Sequence, residues 1–173
     1  MKKNIILGGG CFWNVDAVFR KVPGVSDIKS GHYELDKTTH GFTDKDKIEV
    51  VRLSYETDRI SFSKILDLFF FVHTPTLIKW DIEDCFYPLG RSAIMYTEED
   101  QKIEALERIK KYNEEQTFGT DPVQTKLIEA DFEKFVMAGE KDQDFYNKNP
   151  KDPFCTSMIE PKMARLKEKF KIA

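Results

Sequence analysis

Cysteine is scarce in this chain, and no two of its cysteines lie close together: Cys11, Cys85 and Cys155 are all there are. An odd count without short spacings excludes a disulfide framework, and the lack of a C-x-x-C pair argues against a structural zinc site. No apolar run approaches the ~18 residues that a membrane helix needs. The longest candidate, Ile65 to Val72, is interrupted by Asp67. Neither sign of charge dominates, since 27 basic residues meet 30 acidic ones. Nothing in that balance favours nucleic acid or an anionic membrane surface as partner. A secretory signal is also missing: Met1-Lys2-Lys3-Asn4 starts positive, but Ile5-Ile6-Leu7 stops at three glycines, too short for an apolar signal core. A cytoplasmic protein is expected. Repeats, low-complexity stretches and interdomain linkers are absent as well, so residues 1–173 are read as one domain.

What the chain has is a legible order of elements. Asn4–Leu7 is β-prone, and Gly8-Gly9-Gly10 breaks it. Cys11–Lys21 has helical spacing through Phe12, Val15, Val18 and Phe19, and Pro23-Gly24 ends it. Val25–Tyr33 and Ile48–Tyr55 read as strands, separated by a polar stretch. Ser61 caps a helix to about Val72, with Ile65, Leu68, Phe69 and Val72 on one face. Thr74–Gly90 has no period and reads as a long loop, a common place for function. Arg91–Tyr96 is a strand, Thr97 caps a helix from Glu98 to about Glu115 carrying Ile103, Leu106 and Ile109, and Thr125–Ala130 is a last strand. Ala138–Pro150 is polar, and Pro161–Phe170 is a short amphipathic helix. Strand, helix, strand, strand, helix, strand is the split βαβ order of ferredoxin-like α+β folds, expected here as a two-layer sandwich with extra loops and a C-terminal helical tail.

The stretch Gly8-Gly9-Gly10-Cys11-Phe12-Trp13 carries the most chemistry. A strand runs through glycines into a helix, so Cys11 stands at a helix N-terminus. Free N–H groups and the helix dipole favour a thiolate there, and the thiolate is the reactive form. A phosphate site is the rival reading, but neither G-x-x-x-x-G-K-[ST] nor G-x-G-x-x-G is present. The plain alternative is a buried cysteine acting as a small hydrophobe.

Gly10-Cys11-Phe12-Trp13 matches the G-C-F-W signature of the A-type peptide methionine sulfoxide reductases, and the resemblance continues along the chain. Phe19 to Val25 resembles that family's helix exit through P-G-V. His73-Thr74-Pro75-Thr76 resembles its H-D-P-T, and Arg91-Ser92-Ala93-Ile94 its R-S-A-I. Gln143 to Pro150 is similar to its Q-D-Y-Y-x-K-N-P, and Cys155 with Ile159-Glu160-Pro161-Lys162 to its cysteine and I-x-P-K tail. The chain also departs from the pattern. G-H-A-E becomes Asp46-Lys47-Ile48-Glu49, keeping the glutamate; G-Y becomes Gly31-His32-Tyr33; Q-Y before R-S becomes Leu89-Gly90; and Y-H-Q-D becomes Lys141-Asp142-Gln143-Asp144.

The resemblance implies reduction of methionine S-sulfoxide, free or in proteins, to methionine. Cys11 is then the nucleophile and Glu49 the acid that protonates the departing oxygen, which requires a raised pKa in a water-poor pocket. Phe12 and Trp13 wall the pocket and hold the substrate methyl. Asp84 orients a water or the oxide, and either His32 or Tyr33 fills the place of the family's tyrosine, with Tyr87 a candidate for the other one. Trp80 and Phe86 read as pocket rim or loop anchors. His73 reads as a structural hydrogen-bonder. Attack leaves a sulfenic acid on Cys11, which condenses with a second thiol. Cys155, in a polar Pro-flanked tail expected to move, is preferred over Cys85. A thioredoxin-like partner then reduces the disulfide, and neither metal nor organic cofactor is called for. Two other readings share the thiol: a peroxidase or redox sensor, and a non-catalytic peptide-binding member of the fold.

Overall fold

A computed structural model describes residues 1–35, 47–77 and 91–172. The strands are β1 (Lys2–Gly9), β2 (Val25–Glu34), β3 (Lys47–Glu56), β4 (Ser92–Tyr96), β5 (Lys126–Glu129) and β6 (Phe135–Met137). They form one sheet in the order β5-β4-β1-β3-β2-β6. Its four central strands follow the ferredoxin-like plan, antiparallel throughout, with parallel β5 added at one edge and antiparallel β6 at the other. β1 is paired on both sides, Leu7 facing Val51 of β3 and Ile94 of β4. Its faces are covered too, Ile5 and Leu7 by one apolar cluster and Ile6 by another, and none of the three has exposed surface. That is why a strand so short on alternation is a strand at all.

The helices are α1 (Phe12–Phe19), α2 (Phe62–Val72), α3 (Glu99–Glu114), the single turn α4 (Phe145–Lys148) and α5 (Glu160–Phe170). α1 and α2 bury Val15, Val18, Phe19, Ile65, Leu68 and Phe69 against Ile5, Leu7, Val51 and Leu53 of the sheet. A smaller cluster of Ile6, Tyr33, Ile48, Val50 and Met95 fills the other face. Ser61 caps α2 as expected, its hydroxyl accepting the Lys64 N–H at 3.2 Å. The cap of α3 is one residue later than expected. Glu98 and Gln101 form a reciprocal capping box there, and the Thr97 hydroxyl donates to the Asn4 carbonyl at 2.9 Å instead. On α3 the buried positions are Gln101 and Ala105, and Ile109 packs against the core as expected, while Ile103 and Leu106 stand half exposed.

β6 has no clear signal in its three residues. It exists because Gly31 lets it approach: a Cβ at Gly31 would stand 2.5 Å from the Val136 carbonyl oxygen. The polar stretch that follows is held by Gln143. Its side-chain oxygen accepts the Ser30 N–H at 2.9 Å, and its amide donates to the carbonyls of Ser30 at 2.8 Å and Ala138 at 3.0 Å. This buried amide fixes residues 139–148 against β2 and the start of α1. A five-residue π-helical turn, Cys155–Ile159, then leads into α5, whose first turn contains Pro161.

Candidate active site

Gly10 makes the turn out of β1 with φ 83°, a left-handed conformation open to glycine and strained for most other residues. Cys11 follows as the N-cap of α1, at φ −56° and ψ 125°. Cys11 is partly exposed, and the backbone N–H groups of Trp13 and Asn14 at the helix start act on its thiol. The Asn14 N–H itself donates to the Cys11 carbonyl at 3.1 Å. The sulfur is thus placed where the sequence puts it. Its resting charge is different from the expectation. Burial and the nearby Glu49 carboxylate push the thiol up to about 11, against the two N–H groups and the charge of Lys162, which act downward. Eight residues of helix do not outweigh desolvation, so Cys11 rests as a thiol.

Glu49 and His32 form a directly opposed cross-strand pair on β3 and β2. Both face the helices, because side chains alternate along a strand. The Glu49 pKa is raised by burial and, less, by Asp142, against the Phe12 backbone N–H, which acts downward. The His32 ring lies 5.5 Å from that of Phe12, and burial lowers its pKa, favouring the neutral imidazole. Tyr33 is one residue on and therefore on the opposite face. It is 1% exposed, packed with Ile48 and Val50, and its hydroxyl accepts the Asp131 N–H at 2.9 Å. Of the two candidates for the tyrosine's place, only His32 reaches the site. Trp13 is stacked on Phe145 at 3.7 Å and its indole N–H donates to Asp142 at 3.2 Å. Phe12 is 6% exposed, so it forms the floor of the site more than its wall.

A pocket of about 180 Å³ opens beside Cys11, lined also by Asn14, His73, Pro75, Phe154 and Met158, among others. His73 ends α2 there. Its Nδ1 is 2.9 Å from the Phe69 carbonyl, which can only accept, so Nδ1 carries the proton. Nε2 then accepts the Ser92 hydroxyl at 2.7 Å, and Ser92 accepts from Thr125 at 2.6 Å. Desolvation lowers the imidazole to about 4, so His73 is a neutral structural link.

Cys155 is not in a mobile polar tail. It is 0% exposed, clustered with Ala17 and Ile159 beneath Trp13, Phe145 and Tyr146, and burial raises its pKa. Phe154 and Ile159 pack with Cys155 and turn that segment inward, while Met158 stays exposed. Trp80, Asp84, Cys85, Phe86 and Tyr87 lie outside the described residues. Asn14, Asp142, Phe145 and Lys162 were not singled out from the sequence as site residues, although the last three sit within stretches that carry the family resemblance. Among the described residues, no group of three or more metal-ligating side chains occurs.

A thiol at a helix N-terminus, with a half-buried carboxyl nearby and an aromatic floor, defines a thiol-dependent enzyme on a ferredoxin-like sheet. The comparisons with known proteins name the family. Residues 3–173 match the family model described as peptide methionine sulfoxide reductase. A peptide methionine sulfoxide reductase MsrA from Trichodesmium erythraeum is 35% identical over 182 residues, covering 98% of this chain and 97% of its own. Mxr1 from Saccharomyces cerevisiae in reduced form has the same fold, with a TM-score of 0.70, 22% identity, and 89% of each chain covered. Mxr1 in complex with Trx2 is more distant, with a TM-score of 0.56, 18% identity, and 83% of this chain and 84% of that one covered. The chain belongs to the peptide methionine sulfoxide reductase family.

Proposed function

We propose that this protein reduces methionine S-sulfoxide, free or within proteins, with Cys11 as nucleophile, Glu49 as proton donor and Cys155 as resolving thiol. Family membership favours this over the peroxidase and non-catalytic readings. The observation that carries the roles is the meeting of two groups at the head of α1. The N–H groups of Trp13 and Asn14 act on the Cys11 thiol and that of Phe12 on the Glu49 carboxyl, so thiol and acid meet at one helix turn.

The Cys11 sulfur attacks the sulfoxide sulfur, while Glu49 supplies a proton to the oxygen as negative charge builds there. His32, neutral and beside Phe12, is placed to donate a hydrogen bond to the same oxygen. The methionine sulfur gains two electrons and leaves as the thioether. The oxygen stays on Cys11 as a sulfenic acid. Condensation with the Cys155 thiol forms a disulfide and releases water. Since Cys155 is buried in the resting protein, its turn must open first. The disulfide is then reduced by the dithiol of a thioredoxin-like protein, a partner supported by the solved assembly of yeast Mxr1 with Trx2.

Turnover of resolved S- and R-methionine sulfoxide with dithiothreitol tests the reading. Wild type should reduce the S form and Cys11→Ser neither; preference for the R form overturns the assignment.

A further inference from the structure

Lys162, in the first turn of α5, reaches across to the head of α1. Its Nζ donates to the Asn14 side-chain oxygen at 3.0 Å and to the Val72 carbonyl at 2.7 Å. Val72 is the last residue of α2, where carbonyls point out of the helix and the dipole is negative. Asn14 belongs to α1 and lines the pocket beside Cys11, and its own backbone N–H donates to the Cys11 carbonyl at 3.1 Å. One residue therefore binds the lysine with its side chain and the backbone of Cys11 with its main chain.

The lysine's partners are neutral dipoles. Among the described residues Lys162 forms no ion pair with a carboxylate. A partly buried ammonium that lacks a counter-charge is costly. The anion-forming group whose field reaches it is Cys11, while Arg165 on its own helix repels it and it in turn disfavours charge on His73. Cys11 in turn faces Glu49 from β3, Lys162 from α5 and His73 at the end of α2.

We infer that Lys162 is a positioning residue for this reaction: its ammonium is the counter-charge of the Cys11 thiolate as that thiolate forms, and the same group ties the helix next to Cys155 to the ends of α1 and α2. The inference rests on Cys11 being the nucleophile. The ammonium opposes what burial and the Glu49 charge impose on the thiol. The charge that favours its ionisation is already in place and already held by two hydrogen bonds, so it needs no reorganisation.

The test is the rate of Cys11 carboxamidomethylation by iodoacetamide from pH 6 to 9.5, read on the Cys11 peptide by mass spectrometry. Burial lowers the Lys162 ammonium to about 8. In wild type the rate should climb with pH, flatten as that ammonium is lost near 8, and climb again. Lys162→Met should show no such step and react roughly tenfold more slowly at pH 7, the effect of a one-unit shift in the thiol. Lys162→Arg keeps its charge, so it should match wild type at pH 7 and climb through pH 8 without flattening. A wild-type profile that passes straight through pH 8 overturns the inference, and so does an equal slowing in the Met and Arg variants, which would mark a packing effect. Should Lys162→Met fail to fold, wild type and Lys162→Arg still decide. Alkylation needs no sulfoxide, so a missing reductase activity with the step intact would sink the proposed function and leave this inference standing.

Discussion

Glu49 and Cys11 compete for one proton. Each raises the other's cost of ionising, since burial raises both and the Glu49 charge acts on the thiol. The reactive form has the thiolate and the carboxylic acid together, and it holds as many protons as the more populated form with thiol and carboxylate. The rate of sulfoxide reduction should therefore rise with pH up to the raised Glu49 pKa and then stay level until the Lys162 ammonium is lost near 8. Glu49→Gln separates the two roles. Alkylation of Cys11 at pH 8 should become faster, because a negative charge beside the sulfur is gone. Sulfoxide reduction should fall ~10²-fold or more, because the acid is gone. Parallel loss of both rates would show that Glu49 serves only to shape the site.

Among the elements, the π-helical turn Cys155–Ile159 holds the thiol proposed to complete the catalytic cycle. It keeps Cys155 at 0% exposure under Trp13 and Phe145, with α5 continuing directly from it. In the reduced protein Cys155 should resist iodoacetamide under conditions that modify Cys11, as a peptide map would show. Cys155→Ser should complete one turnover and then stop when driven by thioredoxin. Undiminished thioredoxin-driven cycling would assign resolution to Cys85 or to the external thiol. The turn has to open locally, and the small size of its cluster makes it a low-stability unit of the fold.

Stability belongs to the molecule as a whole, and here it carries a pH signature. His73 links α2 to β4 through Phe69 and Ser92, and desolvation lowers its pKa from 6.5 to about 4. The unfolded chain binds a proton at this position near 6.5, while the native state does not until about 4. Stability from this group is therefore complete above pH 6.5 and is lost as pH falls toward 4, up to roughly 3 kcal/mol. Urea unfolding at pH 7 and pH 5 measures it. The wild type should lose stability between the two, and His73→Gln, though weaker at pH 7, should lose less of what it has. An equal drop in both proteins would move the origin of the acid sensitivity to the carboxylates.

By itself the sequence determined the order of strands and helices, the glycine turn, and the place of Cys11 at a helix start, because each depends on local periodicity, caps and breakers. The G-C-F-W block and the tail motif carried the family as well. Tertiary structure alone decided that His32 and not Tyr33 joins Glu49, since strand alternation acts only once register is set. It also decided that Cys155 is buried, that a three-residue strand closes over Gly31, and that a lysine 151 positions after Cys11, at 162, shares Asn14 with it. Desolvation and long-range charge fix the resting state of the thiol, and neither can be read along a chain, because both are set by what folds around the group.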